Sequence, residues 1–131
     1  MKEENPMMKE IRTPNAPAAI GPYSQAIAAT GTAVYVSGQL PINPKTGKAP
    51  EGIEAQTRQS LENVKAILAE AHYTLQDVVQ ATVLLADIND FAAMNKVYGE
   101  YFNGICPARA AFQVAALPTG AKVEIGVTAV K

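Results

Sequence analysis

Eight consecutive residues, Val78-Val79-Gln80-Ala81-Thr82-Val83-Leu84-Leu85, limit more than any others how this chain can fold. The run is rich in β-branched residues and apolar at both odd and even positions, the pattern of a strand in the middle of a sheet. The segments around it read as helices. From Glu54 to Ala71 the apolar residues Leu61, Val64, Leu68 and Ala71 fall at i, i+3, i+7 and i+10. Glu54, Arg58, Glu62 and Lys65 make the wet face, with Glu54 and Arg58 a favourable i,i+4 pair. A second helix is expected from about Asp90 to Phe102, capped by Asn89 and stopped at Asn103-Gly104.

Two strands precede the first helix, Ser24–Ala28 and Ala33–Ser37, turned by Thr30-Gly31-Thr32. Pro41 to Gly52 carries three prolines and two glycines and must be a surface loop. Two further strands close the chain. The order β-β-α-β-α-β-β predicts an α+β domain of two layers, a mixed sheet with both helices on one face. The other face is left uncovered, and its strands are apolar enough to make a sticky patch that a closed homo-oligomer would bury.

The closing strands hold the residues with chemical potential. In Arg109–Val114 the alternation puts Arg109, Ala111 and Gln113 on one face and Phe112 and Val114 on the other. Between Ala121 and Lys131 the apolar set is Val123, Ile125, Val127 and Ala129, which leaves Glu124, Gly126 and Thr128 opposite. A guanidinium beside the small Ala111 suits a small planar carboxylate, which it grips with two parallel N–H bonds. Each of these residues also has a plainer reading. Arg109 could be a surface arginine, and Glu124 could face solvent or pair with Lys122. Tyr23, after Gly21-Pro22, could pack at a turn, and Ser37 could bond to its own backbone. Asn95 shares a stripe with Phe91, Tyr98 and Phe102, so it needs partners on a buried face.

Composition excludes several classes. A chain of 131 residues is one domain that buries about two-thirds of its unfolded surface. Its formal charge of −1, with no basic run, argues against a nucleic-acid footprint. A single cysteine excludes an intrachain disulfide framework and fits a reducing, cytoplasmic setting. One histidine and one cysteine make a metal site improbable. No apolar run approaches the ~20 residues that span a bilayer. Residues 1–10 are polar and are expected to be a mobile lead-in without a signal peptide, with the domain proper at 11–131. Gly47-Lys48 is no phosphate loop, because Ala49 stands where Ser or Thr is required. Cys106 reads as a small buried hydrophobe, and His72 as a structural residue at the end of the first helix.

Pro107-Ala108-Arg109, Phe112, Ala115, Leu117 and Val123-Glu124-Ile125 resemble the C-terminal signature of the Rid (YjgF-like) reactive-intermediate deaminases. The likeness extends through Ala16–Ala26, Val36-Ser37-Gly38-Gln39, Pro41–Gly47, Gln59–Val64 and Asn89-Asp90-Phe91, and so covers the chain from about Ile11 onward. It implies a chorismate-mutase-like fold and a homotrimer with sheets turned inward. It implies hydrolysis of reactive 2-enamine or 2-imino acids, such as 2-iminobutanoate and 2-iminopropanoate, to 2-keto acids and ammonia. No cofactor is implied, and the substrates are those released by pyridoxal-phosphate-dependent dehydratases.

By the same resemblance Arg109 holds the carboxylate, Glu124 orients the attacking water, Tyr23 closes over the ligand, and Ser37, Gly38, Asn95 and Ala111 lie around it. Many members carry cysteine where this chain has Ala111, so thiol chemistry there is absent. The rival reading is a non-catalytic trimer that binds small carboxylates or regulates a partner. If Leu117–Gly120 turns a simple hairpin, Glu124 pairs near Val114 and lies roughly 16 Å along the strands from Arg109. The two are then expected to meet only across a subunit boundary, with Tyr23, Ser37 and Asn95 on Glu124's side.

Overall fold

The computed structural model describes residues 7–131. In chain order its elements are strands β1 (Met8–Ile11), β2 (Ala26–Ala29) and β3 (Ala33–Gln39), helix α1 (Ile53–Glu70), strand β4 (Val78–Leu85), helix α2 (Phe91–Tyr101), and strands β5 (Ala108–Gln113) and β6 (Val123–Val130). Strands β3-β6-β4-β5 form a mixed sheet in that spatial order, while β1 and β2 make a separate antiparallel pair. The run Val78–Leu85 is interior to the sheet, as its two apolar faces require. It is antiparallel to β6 and parallel to β5.

The core lies between this sheet and the helices. Leu61, Val64 and Leu68 of α1 and Met94, Val97 and Tyr98 of α2 are fully buried, as are Val83, Leu85, Val123, Ile125 and Ala129 of the sheet. Side-chain amides fix the long loop after β3. Asn63 of α1 donates to the carbonyls of Leu40 at 3.1 Å and Ile42 at 2.9 Å. Gln56 donates to Pro50 O at 3.0 Å and accepts from Lys122 N–H at 2.8 Å, which ties the start of α1 to the start of β6. On the uncovered face Tyr35 is 79% exposed and Phe112 48% exposed.

Four local expectations are corrected. Met8–Ile11 is a strand, paired from Met8↔Ala29 to Ile11↔Ala26, where the lead-in was expected to lack structure. Residues 1–6 of that lead-in lie outside the described residues. Strands β2 and β3 do not pair as a hairpin: β2 pairs with β1, and β3, at the edge of the four-stranded sheet, pairs with β6, with Val34↔Ala129 and Val36↔Val127. Strands β5 and β6 are not a hairpin either. Helix α2 is a crossover that makes β4 and β5 parallel neighbours, so β4 stands between β5 and β6. Asn89 does not cap α2. Asp87 caps a 3₁₀ turn over Ile88–Asp90 by accepting from Asn89 N–H at 2.9 Å, and that turn runs into the helix.

Candidate functional site

Strand register decides which side of the sheet each candidate residue serves. Arg109 is opposite Ala81, and Ala111 opposite Val83, both on the helix-covered face. Glu124 is opposite Leu84, one position out of phase with the buried Val83 and Leu85, and so belongs to the uncovered face. The expected constellation is therefore split within one chain into two half-sites, with the sheet between them.

The first half-site is built on Arg109. Its Nη1 donates to Asn95 Oδ1 at 2.6 Å. Its guanidinium carbon lies 4.8 Å from the ring centre of Tyr98, 5.5 Å from that of Tyr23 and 5.6 Å from that of Phe91. Three ring faces and one amide thus hold the cation, a seat that aromatic quadrupoles favour. Asn95, Phe91 and Tyr98 come from one stripe of α2, so the polar residue on that stripe finds its partner in Arg109. Tyr23 arrives by another route. Ser24 N–H donates to Pro107 O at 3.1 Å and Ser24 Oγ to Cys106 O at 2.5 Å, which stitches its chain segment to the entry of β5. The loop before Tyr23 is gathered by Gln25, which accepts from Thr13 N–H at 2.7 Å and donates to Pro17 O at 2.7 Å.

Burial lowers the Arg109 pKa from its ordinary value, and the nearby phenol and thiol groups oppose that shift. Among the described residues no carboxylate lies in ion-pair range of this half-buried cation. With Nη1 committed to Asn95, the Nε–Nη2 edge remains for a bidentate partner. Tyr98 is fully buried, its hydroxyl has no partner among the described residues, and burial drives its pKa well above the usual phenol range. Cys106, just before β5, is half-buried, and burial likewise pushes its thiol up. The thiol donates to Phe102 O at 3.5 Å, as a packing residue would. Ala111, where a hollow was expected, is partly buried and packs against the core.

The second half-site lies where β3 bulges against β6. Pairing runs from Val36↔Val127 to Gln39↔Ile125, so Ser37 and Gly38 together oppose Gly126. A Cβ placed on Gly38 would meet the carboxylate of Glu124, with Cδ at 2.9 Å and Cγ at 3.1 Å. Glu124 makes no ion pair with Lys122 or with any other described residue. Ser37 is exposed beside it, its carbonyl accepting from Gln39 Nε2 at 3.2 Å.

The expected grouping is corrected accordingly. Tyr23 and Asn95 stand with Arg109, and only Ser37 and Gly38 stand with Glu124. A cavity of about 530 Å³ adjoins Tyr23, Gly21 and Gln25, and one of about 640 Å³ adjoins Gly38, Leu40 and Ile67. Each touches one half-site. Sequence reasoning gave no site role to Phe91, Tyr98 or Gln25. The α2 stripe was visible in the helical spacing, but nothing local showed that Arg109 would lie on it. Among the described residues no cluster of three or more His, Cys, Asp or Glu is placed to hold a metal ion. Among them, too, no helix is long and apolar enough to cross a membrane.

Known proteins match this arrangement over almost its whole length. The family described as Endoribonuclease L-PSP matches residues 13–131. A 2-iminobutanoate/2-iminopropanoate deaminase of Capra hircus is 53% identical over 122 residues, which cover 92% of this chain and 88% of that protein. The crystal structure of the YjgF gene product from E. coli has a TM-score of 0.74 at 48% identity and covers 94% of this chain and 98% of that one. The E. coli protein TdcF, solved with bound serine, has a TM-score of 0.74 at 44% identity, again covering 94% and 98%. The chain belongs to this family, that of the Rid (YjgF-like) deaminases.

Proposed function

We infer that this chain is a 2-iminobutanoate/2-iminopropanoate deaminase, hydrolysing 2-imino acids and their enamine tautomers to 2-keto acids and ammonia. Curated relatives of about half-identical sequence carry that activity in their names. The observation that carries the reading at the level of the site is the state of Arg109. A desolvated cation on three ring faces, with a free donor edge and no carboxylate of its own, is a receptor for a small carboxylate.

The chemistry follows from what the carboxylate anchor leaves exposed. Held through Nε and Nη2, a 2-imino acid presents its C=N carbon beyond the guanidinium. Water adds to that carbon while the imine electron pair takes a proton, giving a carbinolamine. Collapse of the carbinolamine forms the keto C=O and releases ammonia, so water alone balances the reaction. Glu124 takes the proton from water as it adds and returns it to the leaving nitrogen, with the Ser37 hydroxyl and the Gly38 backbone beside it. Tyr23 covers the bound acid. The substrate is already reactive, so orientation with acid–base help of ~10²–10⁴-fold is enough.

Arg109 and Glu124 serve opposite faces of one sheet, so a neighbouring copy has to bring the second half-site to the first. A closed homotrimer supplies three equivalent junctions of this kind and covers the exposed Tyr35 and Phe112. Pyridoxal-phosphate-dependent dehydratases acting on serine or threonine release the substrates, and the unpaired Cys106 suits a reducing cytoplasm. The test is a coupled assay with a threonine dehydratase, following keto-acid release against the spontaneous rate. Acceleration by this chain and its loss in Arg109→Ala are expected. Release no faster than the uncatalysed rate, with keto acid still bound, would instead favour a carboxylate-binding regulator.

A further inference from the structure

Gly38 is not among the glycines of positive φ, so its backbone conformation does not call for glycine. What calls for it is space. A Cβ there would sit well inside contact of Glu124 Oε2, with Cδ and Cγ close behind, and all three atoms belong to one side chain. The residue facing the bulge is also a glycine. A Cβ on Gly126 would lie 3.2 Å from Val36 O and 3.3 Å from Gly38 N, so the atoms it meets first are backbone. Gly38, in the β3 bulge, leaves bare backbone at that point, and the Glu124 side chain lies against it.

We propose that Gly38 is a positioning residue, whose missing side chain provides the seat that holds the Glu124 carboxylate in its working position. Nothing else among the described residues holds that carboxylate, since it makes no ion pair and no hydrogen bond with them. A methyl group at position 38 therefore does little to the fold, because the group it displaces is the flexible end of a side chain facing outward. It moves Glu124 by about an ångström, a misplacement that can cost about 10²-fold in rate. This inference rests on the reading of Glu124 as the group that moves the protons.

The experiment compares three variants in the deaminase assay. Gly38→Ala should lower kcat by ~10- to 100-fold while keto-acid affinity, set by Arg109, stays within about twofold. Gly126→Ala loads the same bulge through backbone contacts looser than the Gly38–Glu124 overlap and should keep kcat within a few-fold. Glu124→Gln should lose most turnover. Wild-type kcat in Gly38→Ala beside a dead Glu124→Gln overturns the seat and leaves the role of Glu124 standing, whereas an active Glu124→Gln overturns that role itself. Equal losses in Gly38→Ala and Gly126→Ala overturn the seat in favour of general bulge shape. If Gly38→Ala lowers Tm, the double variant Gly38→Ala/Glu124→Ala should recover it, since the clashing group is gone. A loss of Tm that the double variant does not relieve also overturns the proposal.

Discussion

Mixing two inactive variants tests the division of the site most directly. In the sheet, Arg109 is level with Ala81 and Glu124 with Leu84 of the strand between them. Three positions at about 3.3 Å and two strand spacings of about 4.8 Å put their Cα atoms roughly 14 Å apart, pointing to opposite faces. A substrate of three or four carbons cannot touch both in one chain. Arg109→Ala and Glu124→Gln each remove one half-site and should each be nearly inactive as pure proteins. After subunits exchange at equal concentrations, a junction works when its Arg109 comes from a Glu124→Gln chain and its Glu124 from an Arg109→Ala chain. Each condition holds for half the chains, so recovery should approach about one quarter of wild-type activity. Differently tagged chains, resolved by native mass spectrometry, establish that exchange has occurred. Absence of recovery in a fully exchanged sample would refute the shared site.

Arg109→Lys keeps the charge and loses the fork, so kcat/KM should fall by about one to two orders of magnitude, the equivalent of one charged hydrogen bond of ~1.5–3 kcal/mol; steady-state kinetics that match wild type would remove the carboxylate clamp. Glu124→Gln should bind keto acid normally in calorimetry while turnover is lost, and a parallel fall of both would make Glu124 a structural residue. Tyr98→Phe deletes a buried hydroxyl with no partner among the described residues, so it should relieve about 1–3 kcal/mol of desolvation cost and raise Tm by a few degrees. Its activity should persist, because the ring face and not the oxygen supports Arg109; a large loss of rate would show that the hydroxyl has a partner in the working enzyme.

Local signals in the sequence determined the two helices, the interior strand Val78–Leu85 and the chemical types at the site. Helical periodicity and strand alternation are written in residues a few positions apart, so α1 and the buried stripe of α2 were legible at once. The phases of Arg109 and Glu124 along their own strands were legible for the same reason. Which strands pair was not, because pairing joins segments far apart in the chain and is settled by competition for ladder edges and buried area. Hence β2 turned to β1 and β3 to β6, and β4 separated β5 from β6. That last choice, with the β4 register, set Arg109 against the α2 stripe and left Glu124 on the uncovered face. Asn95 shows the division in one residue. Its sequence marked a polar group on an apolar stripe in need of a partner, and only the packing of α2 beside β5 made that partner Arg109.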